Sequence, residues 1–255
     1  MVVLKSASEI ATMREAGRIV ARTLAAVADA AVPGASLVEL DTLAADLIAD
    51  LGAKPSFLGY HPSWAPRPYP GVLCLSVNEA VVHGIPTDRV LRDGDVLSID
   101  CGAYIDGYHG DAAVTVGIGG LDPEARRLVE TTAAALAAGI ESARPGARMG
   151  DISHAVQSVA RAGGYGLPRG LGGHGIGTKM HEGPSVPNTG RPHRGMVLRE
   201  GLVIAIEPML NEGGRDDGRT LSDGWTVVTT DGSRAAHWEH TVAITADGPV
   251  VLTTK

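Results

Sequence analysis

Four acidic residues stand where a strand should be apolar: Asp100 in VLSIDCGAY, Asp111 in YHGDAAVTV, Glu207 in LVIAIEPML and Glu239 in AHWEHTVAI. Runs this rich in Val, Ile, Ala and Leu read as buried strands, and Asp is a poor strand residue by propensity. Burying one carboxylate costs several kcal/mol unless a cation compensates it. A single such Asp could point away from the sheet or pair with an Arg. Four together cannot, because no Lys or Arg lies within those segments to pair with them. The fold must therefore gather several acids and take the balancing positive charge from outside the chain. Together with the imidazole of His174, in LGGHGIGTKMH, the four carboxylates form a set of hard and borderline ligands. Such a set suits two divalent ions of the manganese, iron, cobalt or zinc type. Two ions would balance the four acids and leave a bridging water or hydroxide as the reactive group.

The bulk properties narrow the setting. With 255 residues, 44% of them hydrophobic and 20% charged, the chain can bury one substantial core or two small ones. A formal net charge of -7 argues against nucleic-acid-specific binding and against an anionic membrane surface. No apolar run approaches the roughly 20 residues that cross a bilayer, and MVVLKSASEI lacks the pattern of a secretory signal. A soluble, cytoplasmic protein is expected. Cys74 and Cys101 are the only cysteines, too few for a disulfide framework and not in metal-binding spacing. Any metal must then use oxygen and nitrogen ligands.

Along the chain, EIATMREAGRIVARTLAAVADAAVPG shows helical periodicity and stops at Pro33-Gly34, which predicts a helix capped by Ser8. SLVELDTLAADLIADLG predicts a second, begun by Ser36 and ended by Gly52. YHPSWAPRPYPG, with Pro62, Pro66, Pro68 and Pro70, excludes regular structure and makes an ordered loop. VLCLSV, DVLSIDCGAYI and GDAAVTVGI read as antiparallel strands with a turn at Asp106-Gly107. Helical pattern returns in DPEARRLVETTAAALAAGIESA, capped by Asp122, and in MGDISHAVQSVARAGG. GLVIAIEPML, GWTVVTTDGS, AAHWEHTVAITADG and PVVLTT are again strands and hairpins. Two helices and strands, twice over, suggest two similar halves in one α+β unit, although no residue-level repeat is evident.

The segments SVNEAVVHGIP, DVLSIDCGAYIDGYHGDAAVTV, GGHGIGTKMHEGP, LVIAIEPM, DGWTV and HWEHTVAIT resemble, in order, the signature of type I methionine aminopeptidases. The resemblance runs from about Val72 to the C-terminus, and the helical N-terminal quarter is compatible with it. It implies the pita-bread fold: α+β, two pseudo-symmetric halves with antiparallel sheet and helices outside, residues 1–255 forming a single metallo-aminopeptidase catalytic domain. It also implies removal of the initiator methionine from nascent polypeptides when the second residue is small and uncharged. By resemblance Asp100, Asp111, His174, Glu207 and Glu239 are the metal ligands, with Asp111 and Glu239 touching both ions. Glu207 is then the general base and acid. His181, in MHEGP, would donate to the carbonyl oxygen as it becomes an oxyanion, and His83, in VVHGIP, would contact the scissile amide nitrogen. Phe57, Tyr60, Tyr69, Cys74, Met180 and Trp225 would surround the methionine side chain, an apolar, adaptable group.

His61, His109, His154, His193, His237 and His240 are left as structural or solvent-facing. His240 follows Glu239 directly, but a strand points neighbouring side chains to opposite faces. The chain departs from the family pattern in HPSWAPRPYPGVLC, which is longer than the usual link between the first pocket Tyr and the pocket Cys. It has no insertion between His181 and Glu207 of the kind type II enzymes carry. The same fold also serves proline-specific peptidases, which carry a further N-terminal domain, and binding modules that have lost metal ligands. The retained ligand set favours an enzyme, expected as a monomer working on nascent N-termini at the ribosome.

Overall fold

Ser6, rather than the expected Ser8, begins the first helix. Its Oγ accepts from the Glu9 N–H, and the Glu9 carboxylate accepts from the Ser6 N–H at 2.7 Å. Ser36 and Glu39 repeat this reciprocal capping box at the second helix. Each box satisfies two donors that the first helical turn leaves orphaned. Asp122 caps the third helix, with Pro123 in the first turn where its missing N–H costs nothing.

The computed structural model describes residues 2–255. The first half contains α1 (Ala7–Ala30), α2 (Leu37–Asp50), β1 (Lys54–Pro55), β2 (Leu73–Val77), β3 (Ala80–Val82), β4 (Val96–Ile105) and β5 (Tyr108–Gly117). The second contains α3 (Pro123–Ser142), α4 (Met149–Ala162), β6 (Gly172–Gly175), β7 (Glu182–Pro187), β8 (Val203–Ile206), β9 (Met209–Asn211), β10 (Gly218–Thr220), β11 (Val227–Thr229), β12 (Ala235–His237), β13 (Glu239–Thr245) and β14 (Gly248–Val251). The proline-rich stretch between β1 and β2 has no regular structure, as its composition requires.

Nine strands form one antiparallel sheet in the order β1-β4-β5-β13-β8-β6-β7, with β2 also on β4 and β14 also on β13. β13 joins the halves: Glu239 and His240 pair with Ala113 and Ala112 of β5, while His240 to Ala243 pair with β8. Each half buries its own helix pair. Leu97, Ile99, Cys101 and Ala103 of β4 pack with Val20, Leu24, Leu40 and Ile48 of α1 and α2. Ile204, Ile206, Val242 and Ile244 pack with Leu128, Leu136, Ile152 and Val156 of α3 and α4. The helices thus cover the outer face in both halves, which is the pita-bread arrangement. Alternation along the strands leaves Ser98, Asp100, Asp111 and Thr115 on the inner face.

Asp106 and Gly107 close the β4–β5 hairpin with φ of 50° and 92°. Positive φ at both positions matches the right-handed twist of the strands, and Asp-Gly tolerates it. Two segments read as single strands are each broken. Glu207-Pro208 separates β8 from β9, because Pro208 offers no N–H to a ladder, and Trp238 separates β12 from β13 opposite it. Glu207 therefore lies just beyond a strand end rather than inside a strand. Strands β6 and β7 carry no strand signature, since glycines and prolines dominate GGHG and EGPSVP. Their pairing is decided by neighbours rather than by propensity.

The seating of α1 on the sheet relies on bare backbone. A Cβ at Gly110 would lie 2.8 Å from the Gly17 backbone nitrogen, and one at Gly17 would lie 2.3 Å from the Leu252 carbonyl oxygen. Gly110 adjoins Asp111, so this contact also sets the depth of a candidate ligand. Gly110→Ala should destabilise the protein by about 1–3 kcal/mol through overpacking, read as a lower urea midpoint at unchanged slope.

Candidate metal centre

The register of the inner face determines which acids meet. Asp100 is directly opposite Ala113, Asp111 is opposite Gly102, and Glu239 is opposite Ala113 from the other side. Asp100 and Glu239 thus flank one small residue, with Asp111 diagonal to both. Small partners at 102 and 113 leave room for carboxylates to converge above them. Glu207, turned inward at the break before Pro208, and His174 of β6 complete the group. The His174 Nε2 lies 3.8 Å from Asp111 Oδ2 and 3.6 Å from Glu207 Oε1. Its Nδ1 pairs with the Gly175 carbonyl at 2.8 Å. A carbonyl can only accept, so Nδ1 carries the hydrogen and Nε2 presents a lone pair to the cavity.

These donors fit a cation. Asp100 Oδ1, Asp111 Oδ1 and Glu239 Oε1 are buried without any hydrogen-bond partner, and buried polar atoms are normally paired. No Lys or Arg side chain is paired with any of the four acids among the described residues. Asp111, His174 and Glu239 bring one ligand atom each within 4.8 Å of one another. Burial, reinforced by the neighbouring negative charge, holds the Asp111 and Glu239 carboxyls well above the usual carboxylate range. Burial also raises Asp100. At Glu207 burial pulls the same way, but His237, His174 and His181 outweigh it and hold that carboxyl below the usual range. A +2 ion held by these donors would reverse the unfavourable ionisation of the other three.

The cavity over the acids measures about 210 Å³ and is lined by Phe57, Tyr60, Tyr69, Cys74 and Trp225 as well as by the five candidate ligands, His83 and His181. Met180 is the exception among the expected pocket residues. It is 3% exposed and packs within the apolar cluster of Met13, Phe57 and Ile176, but it does not line the cavity wall. His181 lies between Tyr60, stacked at a centroid distance of 5.1 Å, and His174, tilted at 4.1 Å. His83 sits at φ 58°, a costly conformation for a side-chain-bearing residue. Its Nδ1 is buried and unpaired. Burial lowers His83 to about 4 and His181 to about 3, so both are neutral at physiological pH and can each donate one N–H.

Two residues at the site escaped the sequence reading. Trp64, at 61% exposed, lines the cavity mouth, edge-on to Trp225 at 5.0 Å and stacked over His83 at 6.2 Å. Nothing in a proline-rich loop announced it. His237, set aside as structural or solvent-facing, is buried with Nε2 3.6 Å from Glu207 Oε2 and 3.8 Å from Glu239 Oε2. Two-residue alternation from Glu239 was the available signal. Among the others, His240 faces away and pairs with Thr253 Oγ1 at 2.8 Å, His61 pairs with the Ala65 carbonyl and His109 with Ser56 Oγ. His154 and His193 are exposed.

Comparison with known proteins agrees with this chemistry. Residues 11–246 match the model of metallopeptidase family M24. The chain is 50% identical over 256 residues to methionine aminopeptidase 1 of Mycobacterium tuberculosis, covering 98% of this chain and 94% of that protein. It is 46% identical to methionine aminopeptidase 1 of Bacillus subtilis, covering 99% of each. The crystal structure of methionine aminopeptidase from Thermotoga maritima superposes with a TM-score of 0.96 at 42% identity, covering both chains fully. Prolidase from Pyrococcus furiosus shares the fold, with a TM-score of 0.79, but only 23% identity, and this chain spans 66% of it. The full-length match, with every candidate ligand inside it, places the chain in metallopeptidase family M24 and, within that family, among the methionine aminopeptidases.

Proposed function

We propose that the chain removes the initiator methionine from nascent proteins whose second residue is small and uncharged, with two divalent ions held by Asp100, Asp111, His174, Glu207 and Glu239. The observation that carries this reading is the convergence of five donors on one buried cavity in which three carboxylate oxygens lack any partner. By the family resemblance, Asp111 and Glu239 would be the acids shared between the ions. The donor set suits cobalt, manganese, iron or zinc. When bound, such ions polarise the scissile carbonyl and acidify a water enough to attack it near neutral pH.

The side chains divide the remaining work. Glu207 takes the proton of the attacking water and passes it toward the leaving nitrogen, as its ionised state permits. His181 donates to the carbonyl oxygen as negative charge grows there. His83 contacts the scissile amide nitrogen. The methionine side chain enters among Phe57, Tyr60, Tyr69, Cys74 and Trp225, whose apolar surfaces suit a thioether. The reading carries with it a cytoplasmic monomer that meets its substrates at the ribosome. No helix among the described residues is long and apolar enough to cross a membrane.

Asp100→Asn should weaken metal binding sharply while leaving the shape nearly unchanged, measured by metal content after gel filtration. A fully active, metal-free variant would sink the dinuclear reading. His83→Ala and His181→Ala should keep their metals yet lose turnover by roughly 100-fold or more. In a series Met-Xaa-Ser, kcat/KM should be high for Gly, Ala, Ser, Thr, Pro, Val and Cys at Xaa and low for Lys, Glu, Phe and Leu. Equal rates for Ala and Lys, or faster release of Leu than of Met, would reduce the assignment to a broad metal aminopeptidase.

The raised carboxyls also give a pH test. Asp100, Asp111 and Glu239 hold protons in the chelated fold that the unfolded chain releases near pH 4. Their contribution to stability is therefore present below that pH and is lost as pH rises through the folded values. Glu207 acts in the opposite sense but stands alone. The gap in Tm between metal-loaded and chelated protein should widen from about pH 5 to about pH 7.5, and a constant gap would contradict the assignment.

A further inference from the structure

His237 is the buried imidazole that this division of labour leaves without a task. Its side chain is 2% exposed, and its Nε2 lacks a hydrogen-bond partner. Thr115 holds its backbone: the main-chain N–H of His237 donates to Thr115 Oγ1 at 2.9 Å, and its carbonyl accepts from the same hydroxyl at 2.6 Å. Within this buried setting Nε2 faces Glu207 Oε2 and Glu239 Oε2, at 3.6 and 3.8 Å. On Glu207 this is not the oxygen turned to His174. Glu207 Oε1 faces His174, and Glu239 Oε1 is the buried oxygen with no partner.

The two imidazoles of the centre are wired in opposite senses. At His174 the Gly175 carbonyl occupies Nδ1, so Nε2 presents a lone pair. At His237 two carboxylate oxygens face Nε2. A lone pair there would meet further lone pairs in a low-dielectric cavity, whereas an N–H would meet acceptors. We propose that His237 carries its hydrogen on Nε2 and is a positioning residue, orienting Glu207 and Glu239 from behind so that their opposite oxygens face the ions. This rests on the dinuclear reading above. Partners of this kind fix the angle of a ligating carboxylate, and their loss typically weakens metal binding 10–100-fold.

The test uses the zinc-loaded full chain, with zinc as the titrated metal. Histidine 15N NMR should find His237 with its proton on Nε2 and His174 with its proton on Nδ1. A zinc-coordinated Nε2 at His237 overturns the proposal without needing any variant. By calorimetry, H237L should bind zinc about 10–100-fold more weakly than the parent, while H237Q, which retains an N–H donor, should stay within about threefold. Parent-like affinity in H237L overturns the proposal, as does an equal loss in both variants, since packing of the ring would then be what matters. A parent chain that binds no zinc, manganese or cobalt would instead overturn the dinuclear reading itself.

Discussion

The cost of holding four carboxylates out of water governs the structure around the cavity. Each acid alone would stay protonated or turn outward, and together they repel. What keeps them convergent is the backbone ladder of β4, β5 and β13. The ladder holds Asp100, Asp111 and Glu239 at neighbouring points, with Ala113 and Gly102 opposite them, and no side-chain cation relieves the strain. The fold thus stores an electrostatic demand that divalent ions satisfy.

The substrate side of the cavity depends on a different kind of restraint. The proline-rich stretch is irregular but tied down: Tyr69 donates to the Leu73 and Gly84 carbonyls at 3.0 and 2.8 Å, and Trp225 Nε1 donates to the Arg67 carbonyl at 3.0 Å. These bonds connect the loop to the segment that bears His83 and to the wall that bears Trp225. Four prolines lower the entropy lost in ordering it. Tyr69, Trp225 and the segment bearing His83 are therefore tied together through one hydrogen-bonded loop. The left-handed backbone of His83 persists because its neighbours hold it there; a Cβ at Gly84 would come within 2.3 Å of the Leu75 carbonyl oxygen.

Much of this was readable from local sequence. Helix ends announced themselves through Ser36 and Asp122, the β4–β5 turn through Asp106-Gly107, and the chemistry through acids lodged in apolar runs without basic partners. These signals are legible because each rests on interactions within a few residues, or on a burial cost that any compact fold must meet. The first helix shows the limit of such reading, since Ser6 and Ser8 both precede an apolar periodicity and only the reach of Glu9 back to Ser6 separates them.

What the chain determined by itself was the class of chemistry and the order of elements. Which atoms meet was decided by tertiary structure. Met180 is buried beside the pocket yet off its wall, Trp64 arrives at the mouth from an irregular loop, and His237 turns out to face Glu207 across a break in two strands. The pairing of glycine-rich β6, which aims His174, is imposed by β7 and β8 rather than by propensity. Strand register and loop anchoring depend on contacts between residues far apart in sequence, and a shift of one position would turn every inward acid to the other face.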